Sequence, residues 1–316
     1  MYLITGVAGF IGFHTALNLL KKQQSVVGVD NLNSYYSVKL KKKRLNKLSK
    51  FKNFKFIKLD LSKKNNYIAL KKYESNIKVV IHLAGQAGVR YSIKNPQTYI
   101  KNNTYAYTNL LEFLRGCKNL RIALYASSSS VFGDPHSLNK NTPISVYAAS
   151  KLSMEYISNV YANFYKMKLV GMRFFTVYGP WGRPDMSLYK FTKNILSNKK
   201  IEVFNHGNHS RSFTYIDDIV DNMLKIVAKL SMSQNPISKV VSIGNPKTVG
   251  LLKLISCIEK YTGKKAKKNF LPMQLGDVKS TKAHINKEIK LFKFTFKTNI
   301  DVGVQKFIKW FLSEKH

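Results

Sequence analysis

The sequence predicts an α/β fold built on a doubly wound parallel sheet, with a smaller C-terminal subdomain. Short apolar strands alternate with helical segments through the first half of the chain. A glycine-rich turn follows the first of these strands directly. Beyond residue 177 the alternation loosens, and proline and glycine become frequent. Regular β–α alternation is typical of a parallel sheet covered by helices, so the sheet belongs to the first part of the chain.

The apolar runs place the elements in order. Strands are expected at Tyr2–Ile4, Val26–Val29, Phe54–Leu59, Val79–Leu83, Ile122–Ser127, Leu169–Phe174 and Val240–Ile243. Helices are expected at residues 10–22, 100–116 and 147–165, with an amphipathic terminal helix at 302–312. A basic run at residues 38–51 has apolar residues at helical spacing, so its lysines are expected on a solvated helix face.

Composition limits the class of protein. The chain has 316 residues, of which 44% are hydrophobic, which is enough to bury a large core. No apolar run approaches the ~20 residues of a membrane span, and M-Y-L-I-T-G resembles a first strand rather than a leader. Cys117 and Cys257 lie far apart. We therefore expect a cytoplasmic protein with no membrane association, no disulfide and no metal site.

The formal net charge of +37 invites nucleic acid as a ligand. However, nearly all the basic residues are lysines, and they are spread along the whole chain rather than clustered. Nucleic acid is therefore not expected as the primary ligand. The positive electrostatic potential of the protein would nevertheless attract any anionic ligand.

Residues 3–12, L-I-T-G-V-A-G-F-I-G, predict a dinucleotide site. Gly6, Gly9 and Gly12 stand between a strand and a helix, where glycine lets the backbone approach a pyrophosphate. Asp30 ends the next strand, which is the expected place for an acid that binds the ribose hydroxyls. Because an acid would repel a 2′-phosphate, this Rossmann-type pattern favours NAD over NADP.

Tyr147 and Lys151 stand four residues apart in S-V-Y-A-A-S-K and would share one face of a helix. Alone, this spacing usually means an ordinary aromatic side chain and a solvated lysine. Beside a nicotinamide, however, a lysine that favours the phenolate makes Tyr147 a candidate general base for an alcohol. The serine run at 127–130, at the end of a strand, completes a Ser–Tyr–Lys arrangement.

Several segments together resemble the extended short-chain dehydrogenase/reductase family. They are T-G-V-A-G-F-I-G, H-L-A-G-Q-A-G-V-R-Y-S (82–92), S-S-S-S-V-F-G (127–133) and Y-A-A-S-K. Three longer segments, at 30–41, 173–186 and 212–220, are similar to bacterial UDP-glucuronate 4-epimerases. Four residues depart from that pattern: Gly85, Phe132, Ser212 and Leu275.

The resemblance implies NAD-dependent 4-epimerisation of a UDP-sugar, most often UDP-glucuronate to UDP-galacturonate. The reaction would run by transient oxidation at carbon 4, rotation of the 4-keto intermediate and re-reduction. Tyr147 would be the base, Lys151 would tune it, and Ser128 would bind the reacting oxygen. The implied cofactor-binding residues are Gly6, Gly9, Phe10, Ile11, Gly12, Asp30, Asn31, Asp60, Leu61, Leu83, Ala84, Tyr147 and Lys151. The implied substrate-binding residues are Arg90, Ser128, Ser129, Ser130, Thr176, Arg183, Arg211 and Asp277.

The same resemblance divides the chain by ligand. Residues 1–176, joined by 213–245, would bind the dinucleotide, while 177–212 and 246–316 would bind the UDP-sugar. A homodimer paired through a four-helix contact is expected. His82 is expected to have a structural role, and Asn103 to fix the backbone near the active site. Arg44 and Arg115 are expected to form surface ion pairs.

Alternatives remain open at this point. The chain could be a UDP-glucose or UDP-N-acetylglucosamine 4-epimerase, or a UDP-glucuronate decarboxylase. Related 4,6-dehydratases carry two acids where this chain has Ser129 and Ser130, so dehydration is disfavoured. A catalytically silent relative that binds RNA through its basic surface is a different class of protein, and the intact Ser–Tyr–Lys set argues against it.

Overall fold

The computed structural model describes residues 1–133, 142–233, 235–274 and 278–314. The strands are β1 (Tyr2–Thr5), β2 (Val26–Asp30), β3 (Phe54–Lys58), β4 (Val79–His82), β5 (Ile122–Ser128), β6 (Lys168–Phe174), β7 (Thr176–Tyr178), β8 (Ile201–Phe204), β9 (Ser210–Arg211), β10 (Phe213–Tyr215), β11 (Ile237–Ile243), β12 (Val249–Gly250), β13 (Lys268–Leu271) and β14 (Ser280–Thr281).

The α-helices are α1 (Phe10–Lys21), α2 (Val38–Leu48), α3 (Ile68–Lys71), α4 (Val89–Lys94), α5 (Pro96–Tyr99), α6 (Ala106–Arg115), α7 (Val146–Tyr165), α8 (Ser187–Leu196), α9 (Ile216–Leu230), α10 (Leu251–Thr262), α11 (Asn286–Phe292) and α12 (Ile300–Ser313). A π-helical turn, Ile100–Tyr105, precedes α6. Short 3₁₀ turns lie at Lys64–Tyr67, Glu74–Asn76, Ser129–Phe132 and Asn205–Gly207.

The predicted α/β fold is confirmed, because all seven predicted strands lie in one sheet. Within the described residues its order is β3-β2-β1-β4-β5-β6-β11. The pairings from β3 to β6 are all parallel. The order reverses between β1 and β4, and doubly wound sheets bind ligands outside the carboxyl ends of the strands at such a point. A ligand site is therefore expected at the loops that follow β1 and β4.

The chain divides into two compact units. The first comprises Met1–Ser34, Val38–Phe174 and Met223–Val241, and the second comprises Tyr35–Ser37, Phe175–Asn222 and Ser242–His316. The predicted division by ligand stays a prediction, because it concerns what each part binds. In the part of the chain that is described, every helix is too short or too polar to span a bilayer.

The core of the first unit forms where strand residues meet two helices. Its strands contribute buried aliphatic side chains, which pack with the apolar faces of α6 and α7. Representative members are Leu3, Val27, Val80, Leu169, Leu110, Leu111, Leu114 and Met154. This packing fixes α7 against the sheet, and α7 carries the predicted catalytic pair.

The second unit is built around α8, α10 and α12, with short strand pairs at its edges. As the periodicity predicted, α12 buries Phe307, Trp310 and Phe311. The helix lies so close to β7 that a Cβ at Gly303 would be 2.2 Å from the Tyr178 hydroxyl oxygen. A side chain at position 303 would therefore displace α12 or the tyrosine.

Candidate active site

The loop after β1 is a tight turn that excludes side chains. The N–H of Gly6, at φ +71°, donates to the Val29 carbonyl at 2.7 Å, and the Gly9 N–H donates to the Gly6 carbonyl at 2.9 Å. A Cβ at Gly12 would lie 2.2 Å from the same Gly6 oxygen. The turn leads into the amino end of α1, whose first-turn amides belong to Phe10, Ile11 and Gly12. This arrangement fits the pyrophosphate of a dinucleotide.

Asp30 and Arg44 together hold the tip of this turn. Asp30 Oδ2 accepts from the Ala8 N–H at 3.1 Å, and Asp30 Oδ1 accepts from the Leu32 N–H at 2.8 Å. Arg44 Nη1 donates to the carbonyl oxygen of Ala8 at 2.7 Å. Burial raises the pKa of the Asp30 carboxyl, while these two amides and the cations of Lys41 and Arg44 act in the opposite direction.

The expectation for Arg44 was therefore wrong. It is fully buried rather than part of a surface ion pair. Lys41, on the same helix, is also buried, and its ammonium donates to both the carbonyl and side-chain oxygens of Asn33 at 2.8 and 2.7 Å. The solvated face predicted for this basic run is correct for Lys39, Lys42 and Lys47, which are exposed. By contrast, Arg115 forms the expected surface pair with Glu112.

The other predicted cofactor residues lie at the carboxyl ends of neighbouring strands. Asn31 Oδ1 accepts from the Asn33 N–H at 3.0 Å, and Asp60 Oδ1 accepts from the N–H and hydroxyl of Ser62. Leu61 is buried in the core. After β4, the N–H groups of Leu83 and Ala84 donate to the carbonyl and hydroxyl oxygens of Thr5. Their roles towards a dinucleotide stay predictions.

The amino end of α7 carries Tyr147 and Lys151 one turn apart. Ser145 begins the helix by accepting a hydrogen bond from the Ala148 N–H at 3.1 Å. Tyr147 is half-buried and makes an edge contact with the ring of Tyr99. Lys151 is buried, and burial lowers the pKa of its ammonium to about 8.

Lys151 lies beside the loop that follows β4. A Cβ at Gly85 would be 3.3 Å from Lys151 Nζ and 2.8 Å from Asn103 Oδ1. Asn103 fixes this loop, as expected, because its side chain bonds both the N–H and the carbonyl of Gln86. Its Nδ2 also donates to Ser150 Oγ at 2.9 Å. The lysine, the loop and α7 are thereby joined at one end of the sheet.

His82 has the structural role that its strand position predicted. Its Nδ1 shares a 2.7 Å hydrogen bond with Thr5 Oγ1, and its ring stacks on Tyr107. Burial is the main cause that lowers the pKa of His82 to about 3, so the imidazole is neutral at physiological pH.

Ser128 ends β5 and caps the 3₁₀ turn Ser129–Phe132. Its buried Oγ accepts from the Ser130 N–H and donates to Ser130 Oγ, both at 3.2 Å. Helix α7 packs against both β5 and this turn. The three predicted catalytic residues, Ser128, Tyr147 and Lys151, thus lie in the first unit on elements that contact one another.

The predicted substrate residue Arg90 also lies in the first unit, where it is exposed on α4.

The second unit contains the other predicted substrate residues. Thr176 opens β7. Arg183 forms a two-point ion pair with Asp185, with Nε–Oδ1 at 3.0 Å and Nη2–Oδ2 at 2.5 Å. The Tyr35 hydroxyl also donates to Asp185 at 3.3 Å. Arg211 donates to the backbone carbonyls of Ser210, Val278 and Lys279. Asp277 lies outside the described residues.

Sequence reasoning missed two carboxylates. Asp185 directly follows Arg183 and Pro184 in the segment 173–186, and Glu155 stands four residues after Lys151 on the same helix. The helical spacing could have indicated Glu155. Nothing local to Asp185 indicated its contact with Tyr35, because 150 residues separate the two.

The fold, the glycine turn and the Ser–Tyr–Lys set define a nucleotide-dependent enzyme of the short-chain dehydrogenase/reductase type. The chain belongs to the NAD dependent epimerase/dehydratase family, whose sequence model matches residues 2–244. The predicted family and its NAD dependence are confirmed at this level.

The chain is similar over nearly its whole length to two curated relatives and to one solved structure. Protein CapI of Staphylococcus aureus is 44% identical and covers 98% of both chains. UDP-glucuronate 4-epimerase of Thermodesulfobacterium geofontis is 41% identical and covers 98% of this chain and 95% of the relative. The crystal structure of UDP-glucuronic acid 4-epimerase from Bacillus cereus, in complex with UDP-glucuronic acid and NAD, is 34% identical with a TM-score of 0.90, and it covers 99% of each chain.

Lys151→Met should stabilise the fold at pH 7 while removing turnover. The lowered pKa means that the folded protein pays for a buried charge below about pH 8, and methionine of similar length carries none. The gain in the free energy of unfolding should be roughly 3 kcal/mol at pH 7. It should shrink towards pH 10, since the wild-type protein regains stability as folded Lys151 loses its proton before unfolded Lys151 does. Urea unfolding of both proteins, stripped of dinucleotide, measures this difference. A less stable methionine variant at pH 7 would contradict the expected cost of burial.

Proposed function

We propose that this enzyme interconverts UDP-glucuronate and UDP-galacturonate by NAD-dependent 4-epimerisation. The observation that carries the proposal is the placement of Tyr147 and Lys151 one turn apart on α7, against the turn capped by Ser128. Similarity to relatives named for this reaction supports the choice of sugar. Incubation with UDP-glucuronate without added cofactor, followed by product NMR, tests it. A mixture of UDP-sugars in the same assay separates the neutral-sugar alternatives.

Each side chain has a distinct task in the proposed mechanism. The Lys151 ammonium stabilises the phenolate form of Tyr147. This phenolate takes the proton of the sugar 4-hydroxyl and becomes a neutral phenol. Ser128 donates a hydrogen bond to the reacting oxygen. The turn at Gly6 and the carboxylate of Asp30 would hold the NAD. Bound there, NAD would supply the hydride acceptor for the oxidation at carbon 4 and the hydride donor for the re-reduction after the sugar has rotated.

Tyr147→Phe should keep the fold and the bound dinucleotide but lose nearly all turnover. The ring remains, and only the proton acceptor is removed, which should lower kcat about 10²–10⁴-fold. Tyr156→Phe is the matched control, because Tyr156 is exposed on the same helix, lies outside the Ser–Tyr–Lys set and keeps its apolar ring as phenylalanine. Product NMR and dinucleotide release from denatured protein provide the two readouts. Near wild-type turnover in Tyr147→Phe would remove this residue from the mechanism.

The carbon-6 carboxylate of a uronate substrate must be held in a fixed orientation during the reaction. Arg183 and Thr176 would hold it. A ketone at carbon 4 makes the carbon-6 carboxylate a β-keto acid, which readily loses carbon dioxide. Loss is fastest when the breaking bond lies perpendicular to the carbonyl plane. An arginine fork can hold the carboxylate away from that geometry, and a hydroxyl can add a further bond. Asp185 supports this role, because its two-point pair fixes the plane of the Arg183 guanidinium.

Arg183→Ala or Thr176→Ala should slow epimerisation and raise the fraction of decarboxylated pentose product. Arg183→Lys should restore the rate of epimerisation only in part, since an ammonium lacks the planar fork of a guanidinium. Time-resolved NMR of products, with trapping of carbon dioxide, measures the partition. If both alanine variants epimerise normally with no extra pentose, these residues do not control the carboxylate and the case for a uronate weakens.

We also propose a homodimer paired through α6 and α7. Tyr156, Val160 and Phe164 are exposed at four-residue spacing on α7, and Phe164 is 77% exposed. Such a row of large apolar side chains on one helix face is typical of a surface that a partner covers. Two copies of this helix pair would form a four-helix contact with C₂ symmetry.

Phe164→Glu should convert the dimer into a monomer, because a carboxylate would be buried without a partner at the interface. Ile68→Glu on α3 is the control: Ile68 is 79% exposed but stands outside this row and should leave the dimer intact. Light scattering after gel filtration measures the mass. A monomeric wild-type protein would overturn the proposed assembly.

A further inference from the structure

A largely buried ion pair, Arg173–Glu155, lies next to the 3₁₀ turn Ser129–Phe132 that Ser128 caps, which we call the serine turn. The pair has no part in the proposed proton and hydride transfers. Arg173 and Glu155 meet through two parallel bonds, with Nε–Oε1 at 2.9 Å and Nη2–Oε2 at 2.6 Å. Their side chains are 13% and 6% exposed. This two-point geometry is the most directional ion pair that side chains can make.

The pair contacts the residue that precedes Ser128 and the last residue of the serine turn. Ser127 Oγ donates to Glu155 Oε1 at 2.5 Å, immediately before Ser128. The guanidinium carbon of Arg173 lies 4.7 Å from the ring centroid of Phe132, the last residue of the turn. Phenylalanine replaces the tyrosine that the resemblance leads one to expect there, but it keeps the aromatic face that a guanidinium needs. The serine turn is therefore held between two contacts of one ion pair.

The same pair links three elements. Ser127 on β5 is the direct cross-strand neighbour of Arg173 on β6. Glu155 lies on α7, one turn beyond Lys151 and two beyond Tyr147. Because successive side chains on a strand point to opposite faces, fastening Ser127 to α7 also sets the direction of Ser128.

A gain in folding stability does not by itself explain why a largely buried ion pair stands at this place. A buried ion pair is often no more stabilising than well-packed apolar residues of similar volume, because both charges lose their hydration. What an arginine fork adds is a fixed orientation. The pair is placed where orientation matters for the reaction, between the helix of the base and the strand of the serine.

We propose that Glu155 and Arg173 are positioning residues that hold Ser128 in register with Tyr147 and Lys151. They act through Ser127 and Phe132 and do not themselves touch substrate. The proposal rests on the role given to Ser128 in the proposed function.

The test is a double-mutant cycle with Ser128. Glu155→Gln keeps the shape of the side chain but removes its charge, and it should lower kcat about tenfold with KM for UDP-glucuronate nearly unchanged. In a Ser128→Ala background the same change should cost less than about twofold, because the group that it positions is gone. Ser127→Ala, which leaves the ion pair intact, should behave in the same way with a smaller loss.

The chain offers a matched control on its surface. Arg115 pairs with Glu112 through one bond of 2.7 Å and lies 4.0 Å from the ring centroid of Tyr165, which likewise combines an ion pair with an aromatic contact. These side chains are 40% and 46% exposed, so this pair lies at the surface, whereas Glu155 and Arg173 are largely buried. Glu112→Gln should leave kcat unchanged in both backgrounds.

A readout independent of turnover completes the test. Amide hydrogen exchange in a peptide covering residues 127–133 should be faster in Glu155→Gln, whereas peptides from the core strands should be unaffected. Equal losses of kcat in the two backgrounds, or unchanged exchange in the turn, would overturn the positioning role. If Glu155→Gln does not fold, Ser127→Ala decides both points. An inactive wild-type enzyme would sink the proposed function, while the exchange result would still judge the positioning of the turn.

Discussion

The burial of one ammonium group, that of Lys151, is the constraint on which the candidate site depends. Removing a charged amine from water is costly, and the lowered pKa of Lys151 expresses that cost. Several neighbouring features make room for the group. Gly85 has no side chain to occupy the space beside Nζ, and Asn103 fixes the loop that carries this glycine. Tyr147 lies one turn away, and the attraction between its phenolate form and the ammonium would offset part of the desolvation cost of Lys151.

Arginine and carboxylate pairs supply the orientation that lysine cannot. The chain has 53 basic residues and 16 acidic ones, so a carboxylate has many cations available to it. Nevertheless, Glu155 and Asp185 both take arginine, and both do so through two bonds. Where only charge is needed, lysine serves, as at Lys268 with Glu259. The two-point pairs therefore mark places where the direction of a side chain matters.

The sequence predicted the sheet because its central strands, such as β1, β4 and β5, are nearly continuous apolar runs, as buried parallel strands usually are. It could not predict which cations of the basic run at 38–51 are buried. Leu45 and Leu48 define one helix face, but the burial of Arg44 depends on the Ala8 carbonyl, 36 residues away. The helix expected at 100–116 likewise begins as a π-helical turn around Asn103. Its partner Gln86 lies 17 residues earlier, outside any local pattern.

The contacts of Asp30 bear on the predicted choice of NAD over NADP. A surface carboxylate could rotate away from a 2′-phosphate, but Asp30 is buried and is held by the amides of Ala8 and Leu32. Neither nearby cation is positioned simply to neutralise it, since Arg44 bonds the Ala8 carbonyl and Lys41 bonds Asn33. A fixed carboxylate offers oxygens that can accept from ribose hydroxyls, and the same oxygens repel a phosphate. The preference for NAD that Asp30 predicts would thus follow from the anchoring of the acid as well as from its charge.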